Sequence, residues 1–237
     1  MQVSTRLCQA GSPPSRPPRV VLAAFGVRKS FGPYVALDGA SLAIRPGEAV
    51  VVRGEPGAGK STLLMCLANH LRADAGLVVY QGVRLGVERT SGGPALLTGA
   101  AMLRPDLTCA ENVARPLRRM GLRRRAARRV ATAWLDRLGA PGCGRRYPGE
   151  LSCGQSHRVA AATVLATAPR VVLADDPAEL MDRGEALDVT RSVLEAARAV
   201  GAALVLAARD ASVAADADRQ VLLREGRVVG GREIPGW

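Results

Sequence analysis

The chain has 237 residues, 48 % apolar and 23 % charged, with a formal net charge of +12, which suits a domain with a buried core and argues against global disorder. No apolar run approaches the length of a bilayer span; Val20–Val27 and Ala202–Ala208 suit buried strands, and Val20–Val27 runs straight into Arg28-Lys29, unlike a signal peptide. Five cysteines (Cys8, Cys66, Cys109, Cys143, Cys153) without metal-ligand spacing argue for a reducing cytosol, and His70 and His157 leave little for a zinc hydrolase or a Ser-His-Asp site.

Residues 1–19 are rich in Ser, Pro and Arg and are expected to form a flexible basic tail. From Val20 the pattern predicts strands over Val20–Phe25, Ser41–Ile44 and Ala49–Val52, with turns at Gly32-Pro33 and Pro46-Gly47. Next comes Gly54-Glu55-Pro56-Gly57-Ala58-Gly59-Lys60-Ser61, which matches G-x-x-x-x-G-K-[ST] between the third strand and a helix expected over Lys60–Leu71. The glycines let backbone N–H groups wrap phosphates, and the helix N-terminus adds positive potential. Lys60 suits the β- and γ-phosphates, and Ser61 suits Mg²⁺. The chain has two lysines against 31 arginines, so a strongly Arg-biased sequence keeps a compact ammonium at this position.

A strand is expected over Leu77–Tyr80, and residues 104–166 read as mostly helical. Leu122, Ala126, Val130, Trp134 and Leu138 form an apolar stripe, widened by Ala127, Ala131 and Leu135, with Arg123, Arg124, Arg125, Arg128 and Arg129 outside it. Residues 104–146 carry a net charge of +9 and residues 1–30 carry +5. Such patches fit phosphates, anionic lipid headgroups or nucleic acid, but seven aromatic residues are few for base stacking. The apolar strand Val171–Ala174 ends in Asp175-Asp176-Pro177, where a second Mg²⁺ contact belongs: Asp175 would hold the metal and Asp176 would polarise the attacking water. A helix over Glu185–Val200, a strand over Ala203–Leu206 and a hairpin of Val221–Leu223 with Arg227–Val229 complete the pattern. Strands alternating with helices imply a largely parallel sheet.

Leu151-Ser152-Cys153-Gly154-Gln155 lies 24 residues before Asp175 and resembles the L-S-G-G-Q signature of ATP-binding cassette proteins. The resemblance extends over roughly residues 20–230. The block Leu103–Val113, with Leu173–Pro177, looks most like the lipoprotein-release, macrolide-export and cell-division branch. The resemblance implies an α/β fold: a P-loop NTPase, RecA-like core with an antiparallel β-subdomain and an inserted helical subdomain. It implies an ATP-binding domain over 20–237, the helical insert at about 99–164, and an ATP hydrolase using ATP and Mg²⁺. It also implies a head-to-tail dimer. Gly54, Gly57, Gly59, Lys60, Ser61 and Thr62 of one subunit would bind ATP, and Ser152, Gly154 and Gln155 of the other would meet its γ-phosphate. Phe31 matches the aromatic that stacks on adenine, with Tyr34 in reserve; the competing expectation for Phe31 is an ordinary buried strand-end ring. Asp182 matches the aspartate of the loop between the two sites, and Ser61 and Asp175 match the metal ligands. Partners would be a separate transmembrane permease and a second ATP-binding subunit, at the inner face of the membrane, where an anionic surface is a further candidate. Nucleic acid is the disfavoured partner.

Four departures from the family pattern gather near the γ-phosphate. Asp176 replaces a glutamate and is shorter by one C–C bond, about 1.5 Å; a misplacement of that size can cost on the order of a hundredfold in rate. Arg209 stands at the switch histidine; it can hold phosphate charge but cannot accept a hydrogen bond. Gly99 falls near the expected glutamine, in a region (Gly86–Thr98) that looks shortened. Cys153 replaces a signature glycine. Together they predict a chain that binds MgATP well and hydrolyses it slowly, with Asp176, Lys60 and Arg209 as its catalytic groups. The alternatives are a non-transport cassette protein acting on nucleic acid and an ATP sensor without turnover.

Overall fold

The computed structural model describes residues 20–86, 93–175, 181–208 and 216–229. Strands β1 (Leu22–Phe31) and β2 (Tyr34–Ile44) form an antiparallel hairpin across Gly32-Pro33. Both run further than the apolar pattern predicts. Register shifts beyond Ala24 and at Lys29/Ser30 break the inward–outward alternation, so the signal fades while the ladder continues. Strand β4 (Ala75–Tyr80) joins the free edge of β1, and β5 (Val83–Arg84) closes an antiparallel sheet of order β2-β1-β4-β5.

A second sheet contains β3 (Ala49–Arg53), β6 (Ala95–Leu97), β7 (Val171–Asp175), β8 (Ala203–Ala208), β9 (Arg219–Arg224) and β10 (Arg227–Val229), in the order β10-β9-β3-β8-β7-β6. Every neighbouring pair is parallel except the β9–β10 hairpin. The parallel sheet expected from the strand–helix alternation is therefore present; β6 is too short to announce itself in the sequence. The sheet is covered on both faces. Val50, Val52, Leu173 and Val205 enter one core with the antiparallel sheet and α1 (Lys60–Leu67), while Val51, Val172, Leu204 and Leu206 enter the other with the helical layer. Burial on both faces is why these strands read as continuous apolar runs.

The expected helix over Lys60–Leu71 is corrected: α1 ends at Leu67. Asn69 takes a left-handed φ of 59°, and the His70 and Leu71 amides both turn back onto the Met65 carbonyl.

The helical layer holds α2 (Cys109–Arg119), α3 (Arg124–Arg137) and α4 (Cys153–Leu165), and α5 (Arg183–Ala199) packs against α4. In α3 the expected stripe is rotated. Ala127, Ala131 and Leu135 are the buried line, and Leu122, Val130 and Trp134 flank it half-buried. Small alanines allow the close approach to neighbouring helices that a Trp-bearing line would prevent. Helix α2 starts with a capping box: the Thr108 hydroxyl accepts from the Glu111 amide, and the Glu111 carboxylate accepts from the Thr108 amide. Asn112, buried, bonds the Arg104 amide and the Arg104, Leu107 and Thr108 carbonyls, fixing the approach to α2.

Thr108→Ala is expected to cost about 1 kcal/mol in urea unfolding at neutral pH. The Thr108 amide and hydroxyl hold the Glu111 carboxyl below its ordinary value of 4.5. A depressed folded pKa gives stability present above the unfolded value and lost as pH falls through the folded one. The gap between wild type and variant should therefore narrow below that value, and a gap that widens on acidification would contradict the cap.

Candidate nucleotide site

The glycine-rich loop joins β3 to α1 and is held from two sides by backbone. A Cβ on Gly59 would collide with the Ala36 carbonyl oxygen of β2, and one on Gly54 would collide with that of Leu223 in β9. Gly59 also has φ 98°, a conformation that disfavours any side chain. The β9–β10 turn completes the clamp, with the Gly226 amide donating to the Ala58 carbonyl at 3.2 Å.

Lys60 begins α1 and is 9 % exposed. Its Nζ donates to the Gly54 carbonyl at 2.6 Å and the Glu55 carbonyl at 3.1 Å, so the ammonium lies within the curl of the loop. Ser61, exposed on the next position, donates from Oγ to Oδ1 of Asp175 at 3.0 Å. A hydroxyl and a carboxylate meet here although 114 residues separate them. Thr62 follows on α1, half-buried. Gly57 is exposed, and its carbonyl accepts from the Tyr34 hydroxyl at 2.6 Å.

Phe31 is 49 % exposed at the end of β1, which corrects the expectation of a buried strand-end ring. The Lys29 ammonium lies 5.6 Å from its centroid and pairs with Asp74 at 2.6 Å. That bond holds the Asp74 carboxyl below its usual range. Tyr34, 53 % exposed, is the aromatic bonded to the loop, a contact that sequence reasoning missed.

The segment Ser152–Gln155 opens α4. Ser152 is the N-cap, its Oγ accepting from the Gln155 amide at 3.2 Å. The Gln155 side-chain oxygen accepts from the Ser152 amide at 3.1 Å and from Arg146 at 3.2 Å. Gly154 is buried, and a Cβ there would run into the Glu185 carboxylate of α5. Asp182 caps α5 by accepting from the Glu185 amide at 2.9 Å. The spacing of Asp182 and Glu185 signals the cap, but nothing in the sequence signals Glu185 against Gly154. Among the described residues, no hydrogen bond or ion pair joins Ser152–Gln155 to Lys60 or Ser61. Asp176 and Arg209 lie outside the described residues.

Gly99 begins a 3-10 turn after β6 and is buried with φ 70°. A Cβ there would lie 2.6 Å from Nε2 of His157. Nδ1 of His157 is 2.9 Å from the Cys153 carbonyl, and donation to that oxygen leaves Nε2 facing Gly99. The imidazole thus fills the space into which a side chain at 99 would project. Gly99→Gln is expected to lower stability by about 1–3 kcal/mol through the left-handed backbone and the displaced ring, without raising ATP turnover. A thermal melt read beside phosphate release checks this; a stable and faster variant would contradict it. Burial pushes the Cys66 and Cys109 thiols up to about 11, which leaves them unreactive.

Residues 37–179 match the family model described as ABC transporter. The chain is 37 % identical over 219 residues to the macrolide export ATP-binding/permease protein MacB of Rhodospirillum rubrum, covering 86 % of this chain and 32 % of that protein. It is 35 % identical over 201 residues to the lipoprotein-releasing system ATP-binding protein LolD 1 of the same species, covering 81 % of this chain and 88 % of that one. It is also 33 % identical over 204 residues to the Fe(3+) ions import ATP-binding protein FbpC of Rhizobium etli, covering 85 % and 58 %. The chain spans from 32 % to 58 % of the length of the first curated relatives it matches. Macrolide export and lipoprotein release are two of the three systems in the branch that Leu103–Val113 resembles. Among solved structures, the dimeric ATP-binding cassette MJ0796 in a post-hydrolysis state with ADP and Pi superposes with a TM-score of 0.80 at 25 % identity, covering 91 % of this chain and all of that one.

Proposed function

The chain belongs to the ABC transporter family of ATP-binding cassette proteins, and from that premise we propose that it is a transporter's ATP-binding subunit, binding MgATP between two subunits and hydrolysing it slowly. The observation that carries this reading is the buried Lys60 ammonium inside its loop, beside the Ser61 Oγ–Asp175 Oδ1 contact of 3.0 Å. A hydroxyl and a carboxylate are hard oxygen donors, and Mg²⁺ takes few protein ligands when phosphates and water supply the rest. The residues therefore fit the metal. Bound MgATP supplies a phosphoanhydride whose charge the metal partly neutralises.

The chain's own groups do the holding. Lys60 exchanges two loop carbonyls for β- and γ-phosphate oxygens. The backbone at Gly54, Gly57 and Gly59 offers N–H donors, Ser61 and Asp175 hold the metal, and Thr62 adds a hydroxyl on the first turn of α1. Phe31 stacks on adenine, while Tyr34 steadies the loop through Gly57. Ser152, Gly154 and Gln155 of a second subunit present the N-terminus of α4 to the γ-phosphate, with Asp182 at the junction between sites. The dimeric MJ0796 structure supports this arrangement. Asp176 orients the attacking water from a shorter reach than glutamate, and Arg209 clamps phosphate charge; both changes slow the step.

In this reading the ATP-binding domain spans 20–237 with a helical insert at about 99–164, outside the basic tail 1–19. Among the described residues no helix is long and apolar enough to cross a membrane. The subunit works with a separate permease at the inner membrane face, where its basic surface meets anionic lipid. Phosphate release by the purified protein, with nucleotide occupancy in the same samples, tests the proposal. Bound ATP with slow turnover above a Lys60→Ala background is expected; failure to retain nucleotide would overturn it.

A further inference from the structure

The helix pair α2–α3 carries a basic concavity that the nucleotide site does not use. A groove of about 450 Å³ is lined by Arg115, Arg118, Arg119, Arg124 and Arg128. Glu111 is the one acid in its wall; its carboxylate is hydrogen-bonded by Thr108 and feels the Arg124 and Arg128 charges without forming an ion pair with either. Among the described residues none of these five guanidinium groups forms an ion pair, whereas Arg104, Arg198, Arg219 and Arg227 each hold a carboxylate. Clustered like charges repel, and a polyanionic partner removes that cost. At the turn between the helices Met120 is 61 % exposed, flanked by Arg118-Arg119 and Arg123-Arg124-Arg125.

The partner's chemistry follows from the lining. No aromatic ring lines the groove, so bases have nothing to stack on. Guanidinium groups around one exposed apolar side chain match the headgroup layer of a bilayer, with phosphates outside and acyl chains just beneath. We propose that the α2–α3 tip docks on an anionic phospholipid surface, with Arg118, Arg119, Arg124 and Arg128 on headgroup phosphates and Met120 in the interface. The proposal deepens the membrane-side reading above and rests on it. Docking is assayed without nucleotide, so it can fail while ATP binding stands.

The test is co-sedimentation of the full chain with vesicles of phosphatidylcholine and phosphatidylglycerol, against phosphatidylcholine alone. Binding is expected only to the anionic vesicles, weakening as salt rises. Arg118→Glu/Arg124→Glu/Arg128→Glu should lower it by roughly a hundredfold or more, at about fivefold per guanidinium removed. The triple lysine variant should keep most of the binding, and Met120→Ser should weaken it severalfold without changing the salt dependence. Unaltered ATP binding in each variant reports an intact fold. Wild-type vesicle binding by the glutamate variant would overturn the proposal and move the contact to the basic residues of 1–19. Preferential binding of a DNA duplex over anionic vesicles would overturn it in favour of nucleic acid.

Discussion

Lys60→Ala is expected to abolish ATP turnover and to weaken MgATP binding by roughly tenfold to a hundredfold, the equivalent of about 1.5–3 kcal/mol for a hydrogen bond to a charged group. The Lys60 ammonium is seated inside the loop, with Nζ on the Gly54 and Glu55 carbonyls. Removing it leaves those carbonyls to water near an exposed surface, so the melting temperature should move far less than the affinity. Lys60→Arg should not rescue binding. A planar guanidinium is too wide for a curl built around a compact ammonium. Titration calorimetry with MgATP reads the affinity, and wild-type affinity in Lys60→Ala would sink the phosphate-loop reading.

The second large effect concerns Asp176. If Asp176 orients the attacking water as proposed, Asp176→Glu restores one C–C bond of reach, about 1.5 Å. Turnover should rise by up to about a hundredfold, the size of effect that such a misplacement produces. Affinity for MgATP should change little, because the metal is assigned to Ser61 and Asp175. Asp176→Asn should bring turnover to the Lys60→Ala background. Single-turnover phosphate release separates the chemical step from binding. If glutamate slows the reaction, the site is instead built around the aspartate, and the slow-hydrolysis reading fails.

The readable features of this chain were local ones. The glycine-rich loop between a strand and a helix is encoded by backbone torsions that glycine permits, and its span could be read residue by residue. Strands buried on both faces show as unbroken apolar runs, as in Val171–Ala174 and Ala203–Leu206. The caps at Thr108 and Ser152 were not among the sequence expectations, though Glu111 and Gln155 three residues on are a local signal for them, because both partners lie in one helical turn.

What the sequence alone did not disclose depends on elements remote along the chain. Bulges carry the β1–β2 ladder past the point where alternation ends. Whether Trp134 or the alanine line of α3 faces inward depends on how closely α2 and α4 approach. Tyr34 meets Gly57, Gly154 meets Glu185, and Gly99 meets His157 only once two sheets and a helical layer are packed together. A glycine in sequence says that a side chain is missing; the tertiary structure decides what fills its place. Torsional preference and capping act within a few residues and can be read directly. Steric contact between layers depends on the packing of the whole chain, and no local pattern records it.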